Sequence, residues 1–487
     1  MDFLTELWWR TPITVATAVL SFAVYQTLHH YWQGRLRRRL LAEAARYRKE
    51  HGRLEVALFN RRQLGCGRAA RDASASDTAV RRAIAPTTGH NGRLFHATRA
   101  PRAFTDDPPG FTTEKDPRGT ASNVWFDLPP ATGRPPYHLD LATVLSDQAM
   151  KQIAAKKRLV FHSLGDSGGV NTTTYQQNVA SYMELDVDPS DTSGANPSFF
   201  YHLGDVVYYD GEIKNYYWEF YEPYLHYPGP IFAIPGNHDG DVDPSDQFNK
   251  STDSLKGFVR NFCSQAAIHL PEADDAPRDA MTQPNVFWTL LTPLVTIIGL
   301  YSNVPEGGRL APDQISWFEQ ELQSAPKNLP VIVAVHHPLY SAYGHHPGSQ
   351  ALKTVFESVT KTAKRLPNLI LTGHVHDYQR FTGYLNNKPI VCIVAGAGGY
   401  NQKLHQLDSK MFNPKGCPYK FPSQPDTLDA FNDTQHGYLI VDVSASAIDC
   451  RYIAVDDPSA AKPAPTGPAE PYDTFQIKSG GDWNWTP

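Results

Sequence analysis

Five polar clusters carry side chains able to hold cations: Gly165-Asp166-Ser167-Gly168, Gly204-Asp205-Val206-Val207-Tyr208, Gly236-Asn237-His238-Asp239, Val335-His336-His337-Pro338 and Gly373-His374-Val375-His376. Taken singly, a Gly-Asp pair is an ordinary turn and a lone histidine is usually structural. In this order along one chain they form a set. The set offers carboxylate, phenolate, amide and imidazole donors and no thiolate, a mixture that suits iron, manganese or zinc better than a soft metal or a structural zinc site. Two metal ions sharing one carboxylate would need about this number of donors. Such a pair supplies a water-derived nucleophile and neutralises a phosphoryl transition state.

Each cluster ends a short apolar run. RLVFHSLGD, SFFYHLGD, IFAIPGNHD, LVTIIGLYSN, PVIVAVHHP, LILTGHVHD and IVCIVAGAGG read as buried strands whose C-terminal ends open into loops. Helical stretches at Pro312 to Gln323 and Leu352 to Arg365 alternate with them, which predicts an α/β domain with two packed sheets or one large sheet, flanked by helices. The polar residues then gather at one sheet edge, where open α/β sheets place their ligands. An insertion from Gly240 to Pro284, rich in Asp and Pro, reads equally as a lid or a surface excursion, with a helical piece around Leu255 to Cys263. The chain closes with strand-like Gly437 to Val455 and a last strand around Thr474 to Lys478.

Together the clusters resemble those of the purple acid phosphatases, within the calcineurin-like metallophosphoesterases. Most of that superfamily opens with Asp-x-His; here Gly168 takes the place of the histidine and Tyr208 follows Asp205 by three residues, the purple-phosphatase exchange. The resemblance covers roughly Lys157 to Val455 and implies a four-layer αββα sandwich. It further implies that Asp166, Tyr208 and His376 hold a ferric ion, that Asp205 bridges, and that Asn237, His336 and His374 hold a divalent ion, Fe2+, Zn2+ or Mn2+. His345 and His346, closing the stretch HHPLYSAYGHH, match a phosphate-contacting pair of the plant enzymes. His337 falls where the plant pattern has Ser, and reads as a support of the metal ligands or as a core or cap residue.

The implied reaction is in-line attack of a metal-bound hydroxide on a phosphate monoester. A tyrosinate in place of a neutral histidine compensates the higher charge of a ferric ion, so the centre keeps a net positive charge that attracts a phosphate dianion and acidifies water. His238 is the candidate general acid, with Asp239 expected to hold its imidazole. His162 and His202, inside strands, read as satisfied core histidines. The alternatives are a phosphodiesterase on nucleotide or lipid-linked diesters, an all-divalent centre, a protein phosphatase, and a tethered scaffold with a dead site; the last predicts missing ligands, and the motif set is complete.

The run Thr11 to Leu28 is about long enough to cross a bilayer and is followed by Arg35, Arg37, Arg38 and Arg39. This reads as a single-pass anchor with the C-terminal bulk on the cytoplasmic side, or as an interfacial helix. The expected organisation is an anchor over 1–34, a charged stalk and linker over 35–136, and a catalytic domain over 137–487. With 41% hydrophobic residues and a net charge of −5 in 487 residues, the composition is that of a folded protein without the basic excess of a nucleic-acid binder. The five cysteines show no metal spacing; Cys392 reads as a small core hydrophobe, and Cys417 with Cys450 as a possible disulfide.

Overall fold

All seven apolar runs form strands, and their alternation decides which face each buries. The computed structural model describes residues 127–169, 173–242, 254–303, 308–400, 404–407, 416–422, 424–459 and 467–487. A six-stranded sheet contains parallel β2 (Arg158–Leu164), β3 (Phe200–His202) and β4 (Ile231–Ala233), extended by antiparallel β13 (Gly437–Ser444), β14 (Ala447–Ala454) and β15 (Asp473–Lys478) in the order β15-β14-β13-β2-β3-β4. A nine-stranded sheet contains β1 (His138–Asp140), β5 (Trp288–Leu291), β6 (Thr296–Leu300), β7 (Val331–Val335), β8 (Leu369–Thr372), β9 (Tyr378–Leu385), β10 (Lys388–Ala395), β11 (Tyr419–Lys420) and β12 (Thr427–Asn432). Its order is β1-β5-β6-β7-β8-β10-β9-β12-β11, and β6, β7, β8 and β10 run parallel.

The two sheets share one apolar core. Leu159, Phe161, Leu439 and Val441 of the smaller sheet cluster with Ile332, Ala334, Leu369, Leu371 and Ile393 of the larger one. The intervening residues point the other way: Val160 and Leu164 join Val179 and Met183 of α2 (Thr174–Leu185), whereas Val331, Val333 and Val335 join Phe318 and Leu322 of α5 (Pro312–Ser324) and Phe356 of α6 (Gln350–Ala363). Strands buried on both faces explain runs that are apolar throughout rather than alternating. Ser349 caps α6, its Oγ accepting from the Leu352 N–H at 3.1 Å. Three shorter α-helices also occur among the described residues: α1 (Asp147–Lys156), α3 (Asn237–Gly240) and α4 (Lys256–Phe262).

Two expectations change here. The second half of the 240–284 insertion is anchored in the core at both ends while 265–269 are exposed: Phe258 and Phe262 are buried, Arg278 donates to the carbonyls of Tyr224, Tyr227 and Gly229, and the Gln283 amide pairs with both backbone groups of Ala233. Residues 243–253 of that insertion lie outside the described residues. Cys417 and Cys450 form no disulfide, since both are free, the first exposed and the second buried in a strand. The described residues include 127–136, with the Gly133 N–H donating to the Pro284 carbonyl at 2.7 Å. The anchor Thr11 to Leu28 and most of the stalk lie outside the described residues, among which no helix is long and apolar enough to cross a membrane.

Candidate metal centre

Each cluster sits just beyond the C-terminal end of a strand: β2, β3 and β4 of the smaller sheet deliver Asp166, Asp205 and Asn237, and β7 and β8 of the larger one deliver His336, His374 and His376. Backbone bonds stitch the two sheet edges together here. The Gly165 N–H donates to the Ala395 carbonyl at 2.8 Å, and the Gly398 N–H returns to the Gly165 carbonyl at 3.1 Å. Asp166, Asp205 and His374 have φ values of 57°, 55° and 70°, in the left-handed region. Such strain costs on the order of 1–3 kcal/mol per residue and persists where the surroundings enforce it, typically at functional sites.

The donor atoms meet in two overlapping groups. Asp205 Oδ2 lies 3.1 Å from Tyr208 Oη and 3.2 Å from His336 Nε2, so one carboxylate oxygen faces both. On one side, Tyr208 Oη is 3.4 Å from Asp166 Oδ1 and 3.3 Å from His376 Nε2. On the other, Asn237 Oδ1 is 3.1 Å from His336 Nε2 and 3.0 Å from His374 Nδ1. His336 Nδ1 donates to the Leu203 carbonyl at 2.8 Å, which leaves Nε2 as the ring atom that faces Asp205 and Asn237. Lone pairs converging in this way are the arrangement a cation satisfies. Asp205, His336 and His374 together offer ligand atoms within 4.8 Å of one another, so the residues present fit a metal centre.

Gly168 explains how Tyr208 reaches the centre. A Cβ at position 168 would lie 2.8 Å from Tyr208 Cδ2, 2.8 Å from Glu219 Oε2 and 2.9 Å from the Val206 carbonyl. The phenol ring therefore occupies the space a side chain at 168 would need. Tyr400 stacks on the ring at 4.0 Å, and the Glu219 carboxylate accepts from the Tyr208 N–H at 2.8 Å.

The centre is buried, Asp166 and Tyr208 being fully inaccessible and His376 6% exposed, so charge there is dear. Burial pushes Asp166 well above the ordinary carboxylate range against the attraction of His336, and the Asp205 charge adds to the rise. Burial acts on Asp205 in the same sense, but His336 and His238 overturn it and hold that carboxylate below its usual range. For His336 the order of forces reverses: burial disfavours its charge, yet Asp205 and Asp166 push it up to about 9. His376 is driven well below its ordinary value by burial and then by His405, His346, His374 and His238. A cation bound among these groups would compete with protons for their lone pairs, so metal binding here is expected to depend on pH.

The remaining sequence-derived residues divide. The His238 ring packs 4.5 Å from Tyr208, with Nδ1 2.9 Å from the Tyr209 carbonyl. Asp239 does not hold it. Its carboxylate instead accepts from the backbone N–H groups of Gly236 at 2.8 Å, Val206 at 3.1 Å and Val207 at 3.1 Å, because at the third position of α3 it reaches back to the helix start. His346 is buried with its ring 4.8 Å from His374, whereas His345 is exposed and lies against Tyr343 at 5.4 Å. His337 Nδ1 meets Ser302 Oγ at 2.7 Å, and the ring lies 4.3 Å from His374. His162 pairs with Asp186 and Tyr227, both at 3.1 Å, and His202 with Ser167 Oγ at 2.8 Å; both are core histidines. Burial lowers His202 to about 3.

Two residues of the site carry no signal in the sequence. Tyr400 covers the Tyr208 ring, and His405 stacks on His376 at 4.1 Å. Neither ends an apolar run before a ligand motif; a histidine at 405, well past the last Gly-rich turn, reads locally as a loop residue.

A family model for calcineurin-like phosphoesterases matches residues 179–378, a span that holds six of the seven donors, Asp166 preceding it. Purple acid phosphatase 22 of Arabidopsis thaliana is 29% identical over 133 residues, 26% of this chain and 27% of that protein. The probable purple acid phosphatase 20 of the same plant is 27% identical over 162 residues, 31% of this chain and 34% of that protein. The chain thus spans about a third or less of the length of these curated relatives. Among solved structures, a purple acid phosphatase from yellow lupin (Lupinus luteus) seeds is similar at 14% identity with a TM-score of 0.44, covering 66% of this chain and 54% of that one.

Proposed function

We propose that this chain, which matches the calcineurin-like phosphoesterase model over residues 179–378 and is similar to purple acid phosphatases, hydrolyses phosphate monoesters at a centre of two metal ions. The observation that carries this reading is the single oxygen Asp205 Oδ2, set between the Tyr208 and His336 donor atoms at 3.1 and 3.2 Å. Asp166, Tyr208 and His376 would hold a ferric ion, and Asn237, His336 and His374 a divalent one, Fe2+, Zn2+ or Mn2+, with Asp205 shared. Bound there, the ions acidify water to a nucleophile and offset charge on the phosphoryl group. The protein's own part is to orient and to move protons. With Nδ1 of His238 held by the Tyr209 carbonyl, Nε2 is the atom that delivers a proton to the leaving oxygen. His346, buried beside His374, and His345 at the exposed rim supply donors to the phosphate oxygens.

The test is metal analysis, a visible spectrum and aryl phosphate hydrolysis across pH, on the wild-type chain and on His238→Ala. Two metals per chain with iron, a purple or pink colour and acid-side activity are expected. The variant retains both metals while turnover drops about 100-fold. Loss of metal in the variant would make His238 a ligand, and a colourless all-divalent protein active on diesters would replace the monoesterase reading.

We also infer that Thr11 to Leu28 anchors the chain in a membrane, with the arginines at 35 and 37–39 keeping the catalytic domain on the cytoplasmic side. In sealed vesicles the domain is then degraded by added protease, and full extraction by carbonate would refute the anchor.

A further inference from the structure

Three rings lie nearly parallel at the edge of the centre. His405 stacks on His376 at 4.1 Å and 13°, and Tyr343 stacks on the other side of His405 at 4.5 Å and 10°. Two bonds donated by backbone N–H groups tie the same pair together: the His376 N–H donates to His405 Nδ1 of the ring at 3.1 Å, and the His405 N–H donates to the His376 carbonyl at 3.0 Å. Since Nδ1 of His405 accepts, its neutral ring carries the hydrogen on Nε2. The edge of Tyr400 closes on His376 at 4.5 Å and 63°, so the imidazole is gripped by two aromatic neighbours while its Nε2 faces Tyr208 Oη and Asp166. His346 lies 5.1 Å from His405 at 22°, which links this grip to the loop that carries the substrate-facing histidines.

We propose that His405 is a positioning residue: it fixes the ring and backbone of His376 and thereby sets the metal affinity of the half-site formed with Asp166 and Tyr208. The inference rests on the two-metal reading given above. A metal-ligating imidazole needs its orientation fixed by something other than the metal. The two reciprocal bonds fix the main chain of His376, and the stack opposes rotation of its side chain. Partners that orient ligands in this way are worth about 10–100-fold in metal affinity. The other half-site, Asn237, His336 and His374, does not include His376 and serves as the internal control.

The experiment titrates zinc alone into the metal-free full chain for wild type, His405→Ala and His405→Phe, and records the melting temperature of each metal-free form. Wild type is expected to bind two zinc ions. His405→Ala binds one as wild type does and the other at least about tenfold more weakly, with the metal-free melting temperature unchanged. His405→Phe keeps a stacking ring but no Nδ1 acceptor, and falls between the two. Unchanged affinity at both sites, or equal weakening of both, overturns the proposal. If the alanine variant does not fold, the phenylalanine variant decides: selective weakening of one site supports positioning, and wild-type affinities overturn it. A wild-type chain that does not take up two ions overturns the two-metal reading itself, and is told apart from the other outcomes because no variant is needed to see it.

Discussion

Asp205→Asn is expected to abolish hydrolysis and to weaken both metal sites together. Its Oδ1 accepts from the His238 N–H at 2.9 Å, and an asparagine keeps that bond by placing its own oxygen there. The amide nitrogen must then take the position of Oδ2, between Tyr208 Oη and His336 Nε2, where it offers hydrogens instead of a lone pair. The fold tolerates the change, while the shared donor and one full negative charge are lost from a fully buried site. If the metals supply several kcal/mol of transition-state stabilisation, turnover falls by roughly a thousandfold or more. Metal content read alongside hydrolysis checks this, and a variant with both metals at wild-type occupancy would show that Asp205 does not bridge.

A single methyl group at position 168 is expected to do nearly as much damage. The Cβ of Gly168→Ala would sit within 2.9 Å of the Tyr208 ring, the Glu219 carboxylate and the Val206 carbonyl, all buried, the carboxylate being tied to the Tyr208 N–H at 2.8 Å. Tyr400 stacks on the ring at 4.0 Å and restricts its movement, so relieving the clash is expected to carry the phenol oxygen away from Asp205 and Asp166. Overpacking of this kind costs about 1–3 kcal/mol of stability, and a ligand displaced by about 1 Å costs on the order of 100-fold in rate. Gly168→Ala therefore resembles Tyr208→Phe in activity but is also less stable, as thermal melting of the two variants would reveal. A wild-type rate in Gly168→Ala would mean that Tyr208 does not serve the centre from this position.

The sequence revealed the ligand-bearing strands because each is buried on both faces and so writes an unbroken apolar run. Strands of a different kind escaped notice. In β9, YQRFTGYL, and β12, TLDAFN, inward and partly exposed residues alternate and polar side chains interrupt the run, which leaves no continuous signal. The donors were legible for a related reason: each stands at the abrupt end of such a run, where a polar residue has no business in the core. Asp239 was misread because adjacency in sequence suggested a partnership with His238, whereas the first turn of α3 directs its carboxylate to the backbone amides of Gly236 and Val206. His405 was missed because its partner His376 lies 29 residues earlier, and only the folded chain brings their rings together.

The donor set is drawn from both sheets: Asp166, Asp205, Tyr208 and Asn237 follow strands of the smaller one, His336, His374 and His376 strands of the larger. Ions bound among them would rivet the two layers at one rim, adding to the backbone bonds of Gly165 and Gly398 a cross-link that no apolar contact supplies. Sliding of one layer over the other would then have to break coordination at that rim. Occupancy and global stability become a single thermodynamic quantity, with free metal at a hundred times its dissociation constant adding about 2.7 kcal/mol per site to the folded state. A cell that starves this protein of metal would not merely silence it; it would hand a loosened sandwich to its proteases.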